Sequence, residues 1–236
     1  MQEVKGLSKE ETQPEANNNL HVCNETKAKL EKVGKSLMDS SLSPDEIALI
    51  WDFYVSHAPV RKDANDKGNG GGLRYLGEYG WKGNKELTAL ERKMIMEATL
   101  GRIVIIKADE LTETLASMNL GREEEICWNH PRAVVQQSFS VNVKENGECK
   151  INEKEKRMAC FFRHIRNALA HNRIYYSPDG GMILLEDIDN KKITARILIP
   201  TIALINWIRV IDKDRIFYFK TNAENEEDIS ESVVAS

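Results

Sequence analysis

The sequence has no apolar run approaching the roughly 18 residues needed to cross a bilayer, so no membrane-spanning helix is expected. It has no C-x-x-C pair, and no histidine stands at zinc-finger spacing from Cys23, Cys127, Cys149 or Cys160. The four cysteines therefore read as reduced thiols. Positive charge is in short supply: 33 Lys and Arg stand against 37 Asp and Glu, a formal net charge of −4. No global field draws such a chain to nucleic acid or to an anionic membrane, so any nucleic-acid role must rest on a local patch. The opening residues, MQEVKGLSKEETQPEANNN, lack an apolar core, so no secretory leader is expected and a cytoplasmic setting follows. What remains is ordinary globular material, 41% hydrophobic and 30% charged over 236 residues.

Residues 1–22 are polar and poor in apolar side chains. They bury too little surface to offset their ordering entropy, and the acidic tail 221–236 reads the same way, so both are expected to be disordered. Residues 23–220 carry the pattern of a single domain. Helices are expected over 25–40, over 41–57 and over 87–119, the last with a kink at Gly101. Ser43 is the candidate N-cap of the second, with Pro44 at its first position. A Gly-rich loop is expected over 59–86. Residues 120–150 are mixed. A helical pattern returns over 154–172, a β-hairpin is expected over 180–199 around Asp189-Asn190, and a last helix over 200–213. The expected fold is mainly α, with one small hairpin.

The run FFRHIRNALAHNRIYY, 161–176, breaks the charge pattern. From Lys156 to Arg173 there are five Lys or Arg and no acid. On a wheel at about 100° per residue, Phe161, Phe162, Ile165, Ala168 and Leu169 share one arc of roughly a third of the circle. Arg163, Asn167 and His171 stack at four-residue steps on the other side, with His164 beside them and Arg166 at the border. Two readings fit. One is a solvated polar face. The other is an RNA-phosphate site: Arg offers a forked donor to phosphate, and His moves a proton near neutral pH. RNA supplies its own nucleophile, the 2′-OH, so cleavage there needs no metal and no cofactor.

RNALAH, Arg166 to His171, matches the R-x4–6-H signature of HEPN domains. The longer run with the hairpin GGMILLEDIDNKKITARILI resembles a plasmid- and phage-defence-associated branch of that family, most strongly over about 155–212. The resemblance implies a HEPN-like helical bundle that dimerises, with the motifs of two protomers facing across a cleft. It further implies a metal-independent endoribonuclease, as in toxin–antitoxin or anti-phage systems, with an antitoxin or inhibitor protein as a partner beside the RNA. Carried over, Arg166 and His171 take the catalytic positions and Asn167 the supporting one. Arg163, His164 and Arg173 are candidate phosphate contacts from their place on the helix. A non-catalytic HEPN module that binds a nucleotide or a protein is the alternative.

Other residues invite weaker readings. The Gly-rich loop lacks the G-K-[ST] of a P-loop, and its Tyr75, Tyr79 and Trp81 are candidate stacking or interface anchors. Glu186, Asp187 and Asp189 could hold a cation, but turn chemistry explains them better. His57 and His130 stand alone and read as structural or solvent-exposed. Trp51, Phe53, Trp128 and Trp207 read as core or interface aromatics.

Overall fold

The computed structural model describes residues 36–66, 72–122, 126–143, 149–153 and 155–219. The expected N-terminal segment 1–22, the acidic tail 221–236 and most of the helix expected over 25–40 lie outside these residues. Of that helix, only a 3-10 turn at Leu37–Asp39 is described.

Helix α1, Pro44–Trp51, starts where its cap residues dictate. Ser43 Oγ accepts from the Glu46 amide at 3.3 Å, and the Glu46 carboxylate accepts from the Ser43 amide at 2.8 Å. The helix then widens into a π-helical turn over Asp52–Ser56, which buries Phe53 and Tyr54.

The single long helix expected over 87–119 is instead helix, strand, helix. Helix α2, Asn84–Glu97, is followed by Thr99 in the left-handed region at φ 49°, which turns the chain. The β-branched run Ile103–Ile106 then forms strand β1, and α3 spans Leu111–Ser117. Four β-branched residues in a row lose χ1 freedom in a helix and pack well on a pleated surface. The mixed stretch resolves into β2, Arg132–Gln136, and a separate hairpin of β3, Phe139–Val143, with β4, Cys149–Glu153. Helix α4, Arg157–Ala170, lies inside the range expected for it. After it come β5, Ile174–Tyr176, β6, Met182–Asp189, β7, Lys192–Pro200, and helix α5, Ala203–Ile211.

The expected hairpin is thus part of a five-stranded mixed sheet in the order β1-β2-β7-β6-β5, parallel only between β1 and β2. Its turn, Asn190-Lys191, has both residues at positive φ, 49° and 64°, which matches the twist of the two strands. Strand residues alternate between two cores. Ala133, Val135, Ile183, Leu185, Ile197 and Ile199 face the core built with α1, α2, α4 and α5. Val134, Leu184 and Leu198 face a second core under α3. A sheet buried on both faces reads as near-continuous apolar runs, here ILL and ILI. The expectation of a helical bundle with a small hairpin is therefore corrected: helices cover both faces of a central sheet.

The main core is aromatic where the helices meet. Phe161 packs edge-on against Trp207 at 5.6 Å between ring centroids, and Phe53 against Tyr54 at 4.7 Å. The Gly-rich segment contributes to it as well. Tyr79 and Trp81, expected as loop anchors, are buried, and Trp81 Nε1 donates to the Ile211 carbonyl at 2.8 Å. Phe53, Trp128 and Trp207 are core residues, whereas Trp51 is exposed. His57 is not isolated: its Nδ1 stands 3.1 Å from Asp52 Oδ1.

The second core contains a buried ion pair. Glu186 and Arg196 are register partners on β6 and β7, with Arg196 Nε donating to Glu186 Oε2 at 2.7 Å. Arg196 Nη1 also donates to the Leu120 and Gly121 carbonyls at 2.7 and 2.6 Å, tying the chain after α3 to the sheet. Replacing Arg196 with Met strands a buried carboxylate and two carbonyls and is expected to cost about 3–5 kcal/mol. The double variant Arg196→Met with Glu186→Leu should recover most of that loss. Urea denaturation of the three proteins checks it, and equal stability of both variants would contradict the assignment.

Candidate functional site

Helix α4 carries its apolar residues on the face that meets the sheet and α5. Phe161, Phe162, Ile165, Ala168 and Leu169 are all at most 1% exposed. Its end is fixed by backbone bonds: the Arg173 amide donates to the Ala168 carbonyl at 2.8 Å and the Asn172 amide to Leu169 at 3.0 Å. Asn172 occupies the left-handed region at φ 53°, completing a Schellman motif. His171 is the C-cap residue and is exposed.

Asp187 organises the polar face. Strand β6 has a register irregularity between Asp187 and Ile188, so the strand changes course next to this side chain. Alternation sends Glu186 to the α3 side and Asp187 to the α4 side. Asp187 Oδ2 accepts from His164 Nδ1 at 2.7 Å and from Asn167 Nδ2 at 3.1 Å. Arg163 Nη1 and Arg173 Nη1 stand 4.0 and 3.9 Å from its two oxygens. Burial alone would raise the Asp187 carboxyl; the hydrogen bonds from His164 and Asn167 and the charges of His164 and Arg163 outweigh it and hold the group below its ordinary value.

His164 is 1% exposed, so it lies beneath the accessible face on which the wheel set it. Its Nε2 stands 2.7 Å from the Gln136 carbonyl at the end of β2. Nδ1 meets the Asp187 carboxylate, and Nε2 lies between the Gln136 carbonyl and the Arg163 guanidinium, so the ring is held from both sides. Arg163 forks onto Glu155, Nε to Oε2 at 2.9 Å and Nη2 to Oε1 at 2.8 Å. Arg163 Nη2 also lies 3.1 Å from His164 Nε2. Burial would raise Glu155, but the Arg163 fork and its charge bring it below the usual range. Burial, with Glu155 beside it, pushes the Cys160 thiol up to about 12, so this free cysteine is an inert core group. Cys127, by contrast, is disulfide-bonded, which corrects its reading as a thiol.

A small cavity of about 200 Å³ opens on this face, lined by Arg163, His164, Asn167, His171, Asp187 and Thr194 among others. Arg166 is not among its lining residues. It leaves α4 on another side, where its Nε donates to the Val55 carbonyl in the π-helical turn at 3.3 Å. Arg173 is engaged by the Ile188 carbonyl at 2.7 Å. Of the six candidates, four therefore share the cavity, while Arg166 and Arg173 do not line it. Sequence reasoning assigned Asp187 to turn chemistry and passed over Gln136 and Glu155. The available signal was the acid pair inside MILLEDID: two carboxylates in an apolar strand require buried partners. Among the described residues, no group of three His, Cys, Asp or Glu is placed to hold a metal ion.

Replacing Asp187 with Asn removes the buried carboxylate that accepts from His164 and Asn167 and is expected to cost about 3 kcal/mol at neutral pH. Because folding lowers the Asp187 pKa, that stabilisation is fully present above the unfolded value of 3.8 and is lost as pH falls through the still lower folded value. Melting temperatures of both proteins from pH 7 down to 2 should converge at the acid end. A gap that persists unchanged to pH 2 would contradict this.

A family model described as HEPN pEK499 p136 matches residues 59–220, more than half of the chain, from the segment before α2 to the end of α5 and beyond. Comparisons with curated proteins and with solved structures gave no match. No helix among the described residues is long and apolar enough to cross a membrane. The matched span holds the whole five-stranded sheet, α4 and the Arg166–His171 motif, and the chain belongs to the HEPN pEK499 p136 family.

Proposed function

We propose that this HEPN protein is a metal-independent endoribonuclease, with residues 23–220 acting as one domain. The observation that carries the reading is the setting of His171. Its backbone is fixed by the Schellman motif, its side chain is exposed on the rim of a polar cavity, and Asn167 one turn earlier is aimed by Asp187. In the reaction the RNA 2′-oxygen attacks phosphorus and the bond to the 5′-oxygen breaks. The products are a 2′,3′-cyclic phosphate and a 5′-hydroxyl. His171 handles the proton in transit, Arg166 stabilises the charge on the phosphoryl oxygens, and Asn167 holds a phosphate oxygen or the imidazole. Asp187 and His164 position Asn167.

Arg166 and His171 diverge within one chain, so a homodimer is the arrangement that sets one protomer's Arg166 against its partner's His171. An antitoxin or inhibitor that covers this face, and a role in toxin–antitoxin or anti-phage defence in the cytoplasm, fit such an enzyme. One observation favours a second reading, a non-catalytic HEPN module: Arg163 and Arg173 are already engaged by Glu155 and Ile188, which leaves little uncommitted positive charge at the cavity.

Purified protein is expected to cut mixed RNAs in EDTA and to leave DNA intact. His171→Ala and Arg166→Ala should each lower the rate by about 10²–10⁴ with the fold retained by circular dichroism. Equal cleavage by all three proteins would reject the assignment. Binding of nucleotide or protein with no cleavage by the wild type would favour the second reading.

A further inference from the structure

The cavity at His171 is too small to hold a nucleotide. At about 200 Å³ it falls below the roughly 300–1,000 Å³ of ordinary ligand sites. It does not stand alone. A larger cavity of about 940 Å³ lies next to it, and Gln136, Asp189 and Thr194 line both. The larger one is an open cleft between α3 and the tip of the β6–β7 hairpin. The polar site on the α4 face and this open chamber on the α3 face therefore meet along those three residues.

The chamber's lining has two characters. Leu111 and Leu115 of α3 and Ile193 of β7 give it apolar walls. Thr112, Gln136 and Asn190 add hydrogen-bonding groups, and the charged groups are the cations Arg122 and Lys192 and the carboxylate Asp189. A nucleobase has that same division, with apolar faces and a polar edge, and a phosphate next to it. Bases that proteins read in RNA are unstacked and splayed into such pockets.

We infer that the chamber between α3 and the hairpin tip is a nucleobase pocket, receiving the base next to the phosphate that lies at His171. This rests on the ribonuclease reading of the adjoining cavity and adds the selecting element to it. The ligand is a nucleotide unit of single-stranded RNA, with its phosphate in the small cavity and its base in the large one. Gln136 is the seam between them: its carbonyl holds His164 while the residue lines both spaces.

The test measures equilibrium binding of the four nucleoside 3′-monophosphates and of ribose phosphate, so cleavage is not required. At least one nucleotide should bind the wild type about tenfold tighter than ribose phosphate. Thr112→Trp, an exposed α3 position on the chamber wall, should fill the chamber and remove that difference. Lys192→Glu should weaken nucleotide binding about tenfold. His171→Ala should keep the base-dependent part of binding. Equal binding of nucleotides and ribose phosphate, or unaltered base dependence in Thr112→Trp with an unchanged melting temperature, would overturn the pocket. The two readings fail separately. RNA cleavage without base-dependent binding overturns the chamber alone. Base-dependent binding without cleavage supports the chamber and counts against the ribonuclease.

Discussion

One buried carboxylate and the histidine it holds govern the site. Asp187 and His164 meet at 2.7 Å with almost no solvent around either, and the other His164 nitrogen is spent on a strand-end carbonyl. A buried carboxylate is costly to desolvate and persists where neighbouring groups satisfy it. Here Asn167 and the nearby Arg163 and Arg173 do so. The pair links three elements, α4, β6 and β2, at the point where the polar face of the helix meets the sheet. The direction of the Asn167 amide, and through it the floor below His171, depends on that junction.

The sheet makes the junction geometrically necessary. With apolar side chains on both faces of β2, β6 and β7, polar residues in those strands have only two kinds of place: the ends, or an internal partner. Glu186 takes the internal solution with Arg196, while Asp187 lies one residue further on and faces the other way. Two adjacent acids thus serve opposite sides of the same layer, one joining the chain after α3 to the sheet and the other organising the HEPN face.

Much of this was legible in local patterns. The helix start at Ser43 and Pro44, the apolar stripe of α4 and the strands of the hairpin, whose turn falls one residue beyond the expected Asp189-Asn190, follow from short-range rules that tertiary structure did not override. The length of the expected helix over 87–119 was misleading. Apolar residues at three- and four-residue steps occur there, but Ile103–Ile106 is a continuous β-branched run, and the partner that makes it a strand, Arg132–Gln136, lies about thirty residues away. The motif helix exposed Arg163, Asn167 and His171 to view, since helical spacing is local. Asp187 stayed hidden because its contact with His164 spans 23 positions and depends on a register that only the folded sheet defines.

The hairpin tip has an evolutionary consequence. The left-handed pair Asn190-Lys191 fixes the turn through backbone conformation, and the strands behind it fix the register through their buried residues. Neighbouring side chains at the tip, Asp189 and Lys192, are exposed and bear little on either constraint. Substitutions at these two positions therefore change the lining of the cleft and leave α4 and its histidine as they are. The chemistry displayed at the tip and the polar face of α4 rest on separate structural elements, so one can drift without the other.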